Sequence, residues 1–345
     1  MKKIYLLLTL FSLSIGTLFG QVTTVVAGLD DSDKLLLVNS TLYFTQQNDI
    51  AYIDIAETDP VPTILISGLN EPSGMSIKDN FLYVAHFGEG DVIKIDLDTP
   101  APSVIDVTFF GNTPNMLKLD NNDLYFTDNN GSRIYKYDTT SDSPPAETFL
   151  NTASGPIGIE IKDGYLYYGQ ASLGNIFKLA LNNPNGTPVE VVSGLDRPIG
   201  MEFKGNYLYV ADLDDDKIVK IDVTQSPTVI EDVVINLNNP KDITFDGDIM
   251  YISELNKISK IDLSLSVDES SINDIVLYPV PTKNYLNIAN QKTDLKFIIN
   301  DINGRTLKKD NVSPNEKIDV SSLTPGYYFI TFEGISNVTK KFIVQ

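Results

Sequence analysis

From Val22 to Ser264 the chain is built of short segments in which apolar and polar positions alternate. Clusters of Gly, Asn, Asp and Pro separate them. Period-two alternation rich in β-branched and aromatic residues, bounded by turn residues, predicts strands. Apolar residues at helical spacing do not run to a useful length in this region. The stretch Pro198–Asp222 shows the unit most clearly. One strand is expected at Ile199–Phe203, a second at Tyr207–Ala211 and a third at Ile218–Asp222. A fourth kind of segment ends in Gly-Leu, as at Val189–Leu195.

The unit recurs. Leu-Tyr marks its second strand at Tyr43, Tyr83, Tyr125, Tyr167 and Tyr209, with Met250-Tyr251 as a sixth variant, at spacings of 40, 42, 42, 42 and 42 residues. A proline stands eleven positions before five of these tyrosines, at Pro72, Pro114, Pro156, Pro198 and Pro240; Ser32 takes that place in the first copy. A fixed period of this length marks a solenoid, propeller or array. Four strands per unit predict a propeller blade, because one four-stranded sheet buries both faces only by stacking in a ring. The sixth copy supplies only three strands. The missing one has its match in Val22–Leu29, which resembles Thr63–Leu69 and Val189–Leu195. Residues 22–29 are therefore expected beside Ile258–Asp262, closing a six-bladed β-propeller of residues 22–264 and removing two free edges.

The chain of 345 residues is long enough for two domains. It has no cysteine, which excludes disulfides, thiolate metal sites and a lipoprotein anchor. Residues 1–20 read as a secretory signal peptide: Lys2 and Lys3, then an apolar run from Ile4 to Leu18, then small residues up to Gly20. No later stretch is apolar enough to span a bilayer. The formal charge of −20 is concentrated in the repeats, where 37 acidic residues face 15 basic ones. Nucleic acid needs a basic face and is not an expected partner. A calcium ion or a cationic ligand is compatible with this charge.

Residues 265–271 break the repeat and read as a linker. Beyond them the segments at Ile275–Tyr278, Tyr285–Ile288, Leu295–Asn300, Lys317–Val320, Tyr327–Phe332 and Lys340–Val344 predict a small antiparallel β-sandwich. The series Leu277-Tyr-Pro-Val-Pro-Thr282, Leu286-Asn-Ile288, Ile299-Asn-Asp-Ile-Asn-Gly-Arg305, Ile318–Leu323, Pro325-Gly-Tyr-Tyr-Phe329 and Thr339–Ile343 resembles the type A C-terminal sorting domain of the type IX secretion system, over residues 272–345. Val280 departs from it, standing where that family has asparagine. The resemblance implies a bacterium of the Bacteroidetes kind, the type IX machinery as partner, and a protein released or attached at the cell surface.

The repeats themselves resemble NHL repeats and the related SMP-30/gluconolactonase-like and YWTD propellers; Leu124-Tyr-Phe-Thr-Asp128 is similar to the last of these. Candidate chemistry is sparse. His86 is the only histidine. It ends a second strand where the other copies hold Gln46, Asp128, Gln170, Asp212 and Glu254. It reads as a turn residue, or as the base of a propeller lyase. Asp212, Asp214 and Asp216 alternate in one turn as a calcium-binding loop or a solvated one would; Asp30–Asp33 reads the same way. The first strands, expected at the axis, carry Lys34, Ser76, Lys118, Glu160, Glu202 and Asp242. Glu160, Glu202 and Asp242 are the candidate calcium ligands or acid and base of an SMP-30-like lactonase; otherwise they solvate a wet channel. Lacking a specific catalytic set, the sequence favours a binding or scaffold module for an extracellular ligand or protein, with the calcium-dependent hydrolase and the His86 lyase as alternatives.

Overall fold

In a computed structural model of the protein, the described residues are 22–99, 102–109, 113–140, 146–265, 276–289, 291, 294–302, 304–333 and 338–345. The expected signal peptide, and the expected linker apart from Leu265, lie outside them. The described residues form strands, with one three-residue 3-10 turn at Leu263–Leu265 and no α-helix. Val22–Leu263 is one compact unit, and Ser264–Gln345 belongs to a second.

The first unit contains six four-stranded antiparallel sheets among its described residues. Sheets one to five each run first to fourth strand in chain order, starting at Ser32, Pro72, Pro114, Pro156 and Pro198. The turn from first to second strand is tight. Asn39, Asp79, Asn121 and Asp163 adopt positive φ there, the geometry that two-residue hairpins demand. The leucine of each Leu-Tyr pair points into the layer between sheets: Leu42, Leu82, Leu124, Leu166, Leu208 and Met250 are all 0% exposed. This explains the repeat, since the same side chain must fill the same inter-sheet space each time.

Neighbouring first strands touch in sequence, and the first strand of sheet six (Asp242–Asp246) also touches that of sheet one (Ser32–Val38). They approach closely. A Cβ on Gly158 would sit 2.3 Å from the Ile199 carbonyl oxygen, and one on Gly200 would sit 2.5 Å from the Asp242 Cα. Only glycine allows backbones that near. Hydroxyl groups bridge the same seam. Thr127 Oγ1 accepts from the Met116 N–H (3.0 Å) and donates to the Ile157 carbonyl (2.9 Å), and Ser253 Oγ donates to the Asp33 carbonyl (2.6 Å).

Sheet six takes its fourth strand from the amino-terminal side. Thr23–Ala27 pairs antiparallel with Lys257–Asp262, matching Thr23 to Lys260 and Val26 to Ile258, and the Leu29 N–H reaches the Asn256 carbonyl at 3.0 Å. Val26 is buried in a cluster with Leu35, Phe44 and Ile258. Val26→Asp places an unpaired carboxylate in that cluster. The expected loss is about 3 kcal/mol or more, read as a lower urea midpoint; an unchanged midpoint would show that this strand does not help to hold the sheet.

In the second unit a three-stranded sheet (Val276–Tyr278, Tyr285–Ala289, Ile318–Asp319) and a four-stranded one (Leu295–Asp301, Thr306–Val312, Gly326–Glu333, Val338–Val344) share a core of Leu286, Phe297, Ile330, Phe332 and Phe342. Thr306–Val312 was not expected from the sequence. It is an edge strand, mostly exposed along TLKKDN, so no buried face prints an apolar alternation on it.

Candidate functional site

The ends of the second strands carry a common device. The side chain there ties down the segment that leads into the first strand. His86 Nε2 accepts the Asn70 N–H at 2.8 Å. Asp212 accepts the N–H groups of Asp196 (2.9 Å) and Arg197 (2.7 Å), and Glu254 accepts that of Asn238 (2.9 Å). Gln170 Nε2 donates to the Ser154 carbonyl (3.1 Å). Because Nε2 of His86 is an acceptor, the proton lies on Nδ1, which donates to Asp91 Oδ1 at 3.0 Å. Burial raises the Asp91 carboxyl above its ordinary pKa, against the opposing pull of His86. Both ring nitrogens therefore serve the turn. His86→Ala should cost about 1–3 kcal/mol, because the Asn70 N–H and the Asp91 carboxylate lose their partner. His86→Gln should recover most of it, because a glutamine carbonyl oxygen can accept the Asn70 N–H. Thermal unfolding of both variants checks this, and equal losses would refute it.

The Asp212–Asp216 turn does not gather its carboxylates. Asp212 is wholly buried against backbone N–H groups. Asp214 lies 3.5 Å from the Arg197 guanidinium, and Asp216 Oδ1 accepts the Asn239 N–H at 3.0 Å. Each side chain is spent on a different neighbour.

Strand register sorts the axial residues into two levels. Opposite the repeat tyrosines stand Leu36, Ser76, Lys118, Glu160, Glu202 and Thr244. Lys34 and Asp242 lie two residues earlier on their strands, so Thr244 and not Asp242 is the counterpart of Glu202. At the first level Lys118 Nζ meets Glu160 Oε2 at 2.7 Å, and Glu160 Oε1 accepts the Ile161 N–H at 2.8 Å. The Glu160 side chain is 4% exposed, whereas that of Lys118 keeps 36% of its surface open. Burial raises the Glu160 carboxyl despite the lysine. For Lys118 burial is the largest single influence and acts downward, but the charge of Glu160, the hydrogen bond to it and the charges of Glu202 and Asp242 together outweigh it, and the net shift is upward. Glu202 is pushed up to about 7, by burial first and by Glu160, while Lys118 and a hydrogen bond to Thr244 oppose this.

At the second level Asp242 is buried and accepts the Leu35 N–H at 3.0 Å; burial lifts it to about 6 against the pull of Lys34. Lys34, 3% exposed, lies 3.2 Å from Asp33. Glu160, Glu202 and Asp242 thus do not form one calcium cage. Lys118 occupies the cation's place beside Glu160, Asp242 belongs to a different level, and among the described residues no three His, Asp or Glu are placed to hold a metal.

A second feature escaped the sequence reading. A cavity of about 450 Å³ opens where sheets one, two and three present the starts of their first strands. Asp31, Asp33, Gln47, Asn48, Glu71 and Asn115 are in its wall. Part of its wall is a short turn: Gln47-Asn48 connects second to third strand in sheet one with two residues, whereas sheet two uses four, residues 87–90. The signal was the first tyrosine spacing, 40 against 42. Gln47 and Glu71 hold positive φ (43° and 50°), uncommon for such side chains.

Comparison with known proteins agrees with this architecture. Residues 276–345 match the Secretion system C-terminal sorting domain family. The tail is a type IX sorting domain, so the protein is secreted or displayed at the cell surface, and no helix among the described residues is long and apolar enough to cross a membrane. No curated protein matches the chain in sequence. Three solved structures are similar in fold. A virginiamycin B lyase from Staphylococcus aureus with quinupristin is 21% identical, with 67% of this chain and 80% of that chain covered at a TM-score of 0.51. A luciferin-regenerating enzyme is 13% identical, with 70% and 95% covered at 0.59. A putative gluconolactonase is 13% identical, with 70% and 92% covered at 0.58. At these identities the likeness is one of fold: the repeat region is a β-propeller-like, all-β structure.

Proposed function

We propose that the mature protein is an extracellular binding module: a six-bladed β-propeller of residues 22–264, closed by its amino-terminal strand, and exported by way of a signal peptide at 1–20 and the sorting domain at 272–345. The pairing of Thr23–Ala27 with Lys257–Asp262 and the circuit of touching first strands support the closed ring. One observation carries the binding role. The polar cavity beside Asn48 and Glu71 is open to solvent, whereas His86, Asp212 and Asp242 are engaged with backbone and neighbouring side chains. The cavity's volume lies in the range of roughly 300–1,000 Å³ usual for small-ligand sites.

A second reading, hydrolysis or elimination in the axial channel, draws on Glu202. Its carboxyl titrates near 7, the range a general acid or base needs. Incubating the purified protein with a streptogramin B antibiotic and with aliphatic lactones separates the two. Substrate recovered intact is the expected result. Turnover that disappears in Glu202→Gln or His86→Ala overturns the binding role. Export is tested in the producing bacterium: removal of residues 272–345 should hold the protein inside the outer membrane, and undiminished release would refute that route.

A further inference from the structure

We infer that the cavity beside Gln47-Asn48 takes a saccharide through two adjacent hydroxyl groups. This deepens the binding-module reading and rests on it.

The argument is one of donors and acceptors. A cationic ligand asks a wall for acceptors alone, and an anionic one for donors alone; a sugar hydroxyl both donates and accepts. The wall offers both kinds. Asn48 Oδ1 lies 3.5 Å from the Glu71 N–H, which turns the Asn48 amide NH2 toward other partners. The Ser73 hydroxyl donates to Asn115 Oδ1 at 3.4 Å, which likewise leaves the Asn115 NH2 as a donor. The carboxylates of Asp31, Asp33 and Glu71 are the acceptors. A carboxylate and an amide NH2 in one wall can together serve a pair of neighbouring hydroxyls.

The charges point the same way. Lys241 Nζ holds Asp31 at 2.5 Å, and Lys34 lies 3.2 Å from Asp33, so two of the three acids are already compensated. These lysines also fix the carboxylates in place, which reduces the ordering cost on binding. Glu71 is left with one uncompensated charge, too little to select a polycation. Phe87 is also in the wall, and its aromatic side chain is the group assigned to the C–H face of a pyranose. Its N–H donates to the Glu71 carbonyl (3.1 Å), which links the ring's position to the strained Glu71 backbone.

The test uses the full mature chain with saturation-transfer NMR and calorimetric titration. The probes are the methyl glycosides of mannose, galactose and glucose, N-acetylglucosamine, and tetralysine as a cationic control. The expected result is saturable binding of at least one sugar, weakened about tenfold in both Asn48→Ala and Glu71→Gln. Both side chains are exposed, so the variants should unfold at the wild-type temperature. Binding of tetralysine alone, lost in Glu71→Gln, overturns the saccharide and leaves a binding module standing. Sugar binding indifferent to both substitutions places the site elsewhere and also overturns the inference. If no probe binds, the saccharide is refuted and the cavity no longer supports the proposed function.

Discussion

Replacing Lys118 by methionine should cost the fold about 2–4 kcal/mol at neutral pH. The side chain keeps its length and loses its charge, so the effect isolates the ion pair. Glu160 is nearly enclosed, at 3% exposure, and its carboxyl is already raised by burial with the lysine present. Without the ammonium at 2.7 Å the carboxylate stays buried with the Ile161 N–H as its remaining bonded partner. Breaking a buried pair from one side costs about 3–5 kcal/mol. The lower figure applies because Lys118 is itself 36% open and partly screened. The pH dependence has a definite sign. An acid whose folded pKa exceeds its unfolded value makes the folded state bind more protons, so stability falls as pH rises through that window. Lys118→Met should therefore regain stability as pH drops toward 5, whereas wild type should change less. Chemical denaturation at pH 5 and pH 7.5 measures this, and a deficit equal at both values would mean that packing, not charge, is responsible.

Glu202→Gln should act in the opposite direction and stabilise the protein at alkaline pH. The carboxyl titrates at about 7 in the fold, against roughly 4.3 in an unfolded chain. Ionising it in place costs at most about 4 kcal/mol, a cost incurred progressively between these two values and complete above pH 8. Glutamine keeps a partner for the Thr244 hydroxyl and never ionises. The variant should match wild type near pH 4.5, exceed it above pH 8, and lose up to one proton's worth of slope in between. A wild-type slope in the variant would show that another group is titrating; Asp242, lifted to about 6, is the first to examine.

Much of the architecture could be read in the chain because one packing rule repeats. A leucine or methionine that must vanish between sheets, followed by a tyrosine, recurs wherever a second strand is needed, and turn residues mark the gaps. The reading failed where burial leaves no trace. Thr306–Val312 is polar along most of its length because it borders a sheet. For the candidate site, the sequence singled out the carboxylates but not their levels. Asp242 attracted notice by its charge, while Thr244, uncharged, is the residue opposite Tyr251. His86 could be placed as a turn residue because its counterparts are chemically diverse yet all able to bond a backbone group. The cavity drew residues from three sheets, a convergence that no local pattern encodes, and its trace in the chain was a deficit of two residues in one period.

The bond from Thr23 to the Lys260 carbonyl spans 237 residues of chain. Contacts so distant in sequence are made late, since a long loop must close before they return anything. Growth of the polypeptide from its amino end therefore cannot finish this half of the molecule piece by piece. Until both extremities are free to meet, Lys257–Asp262 is a bare border that invites a foreign strand. Whatever delays that meeting should yield tangled oligomers rather than a tidy shorter protein.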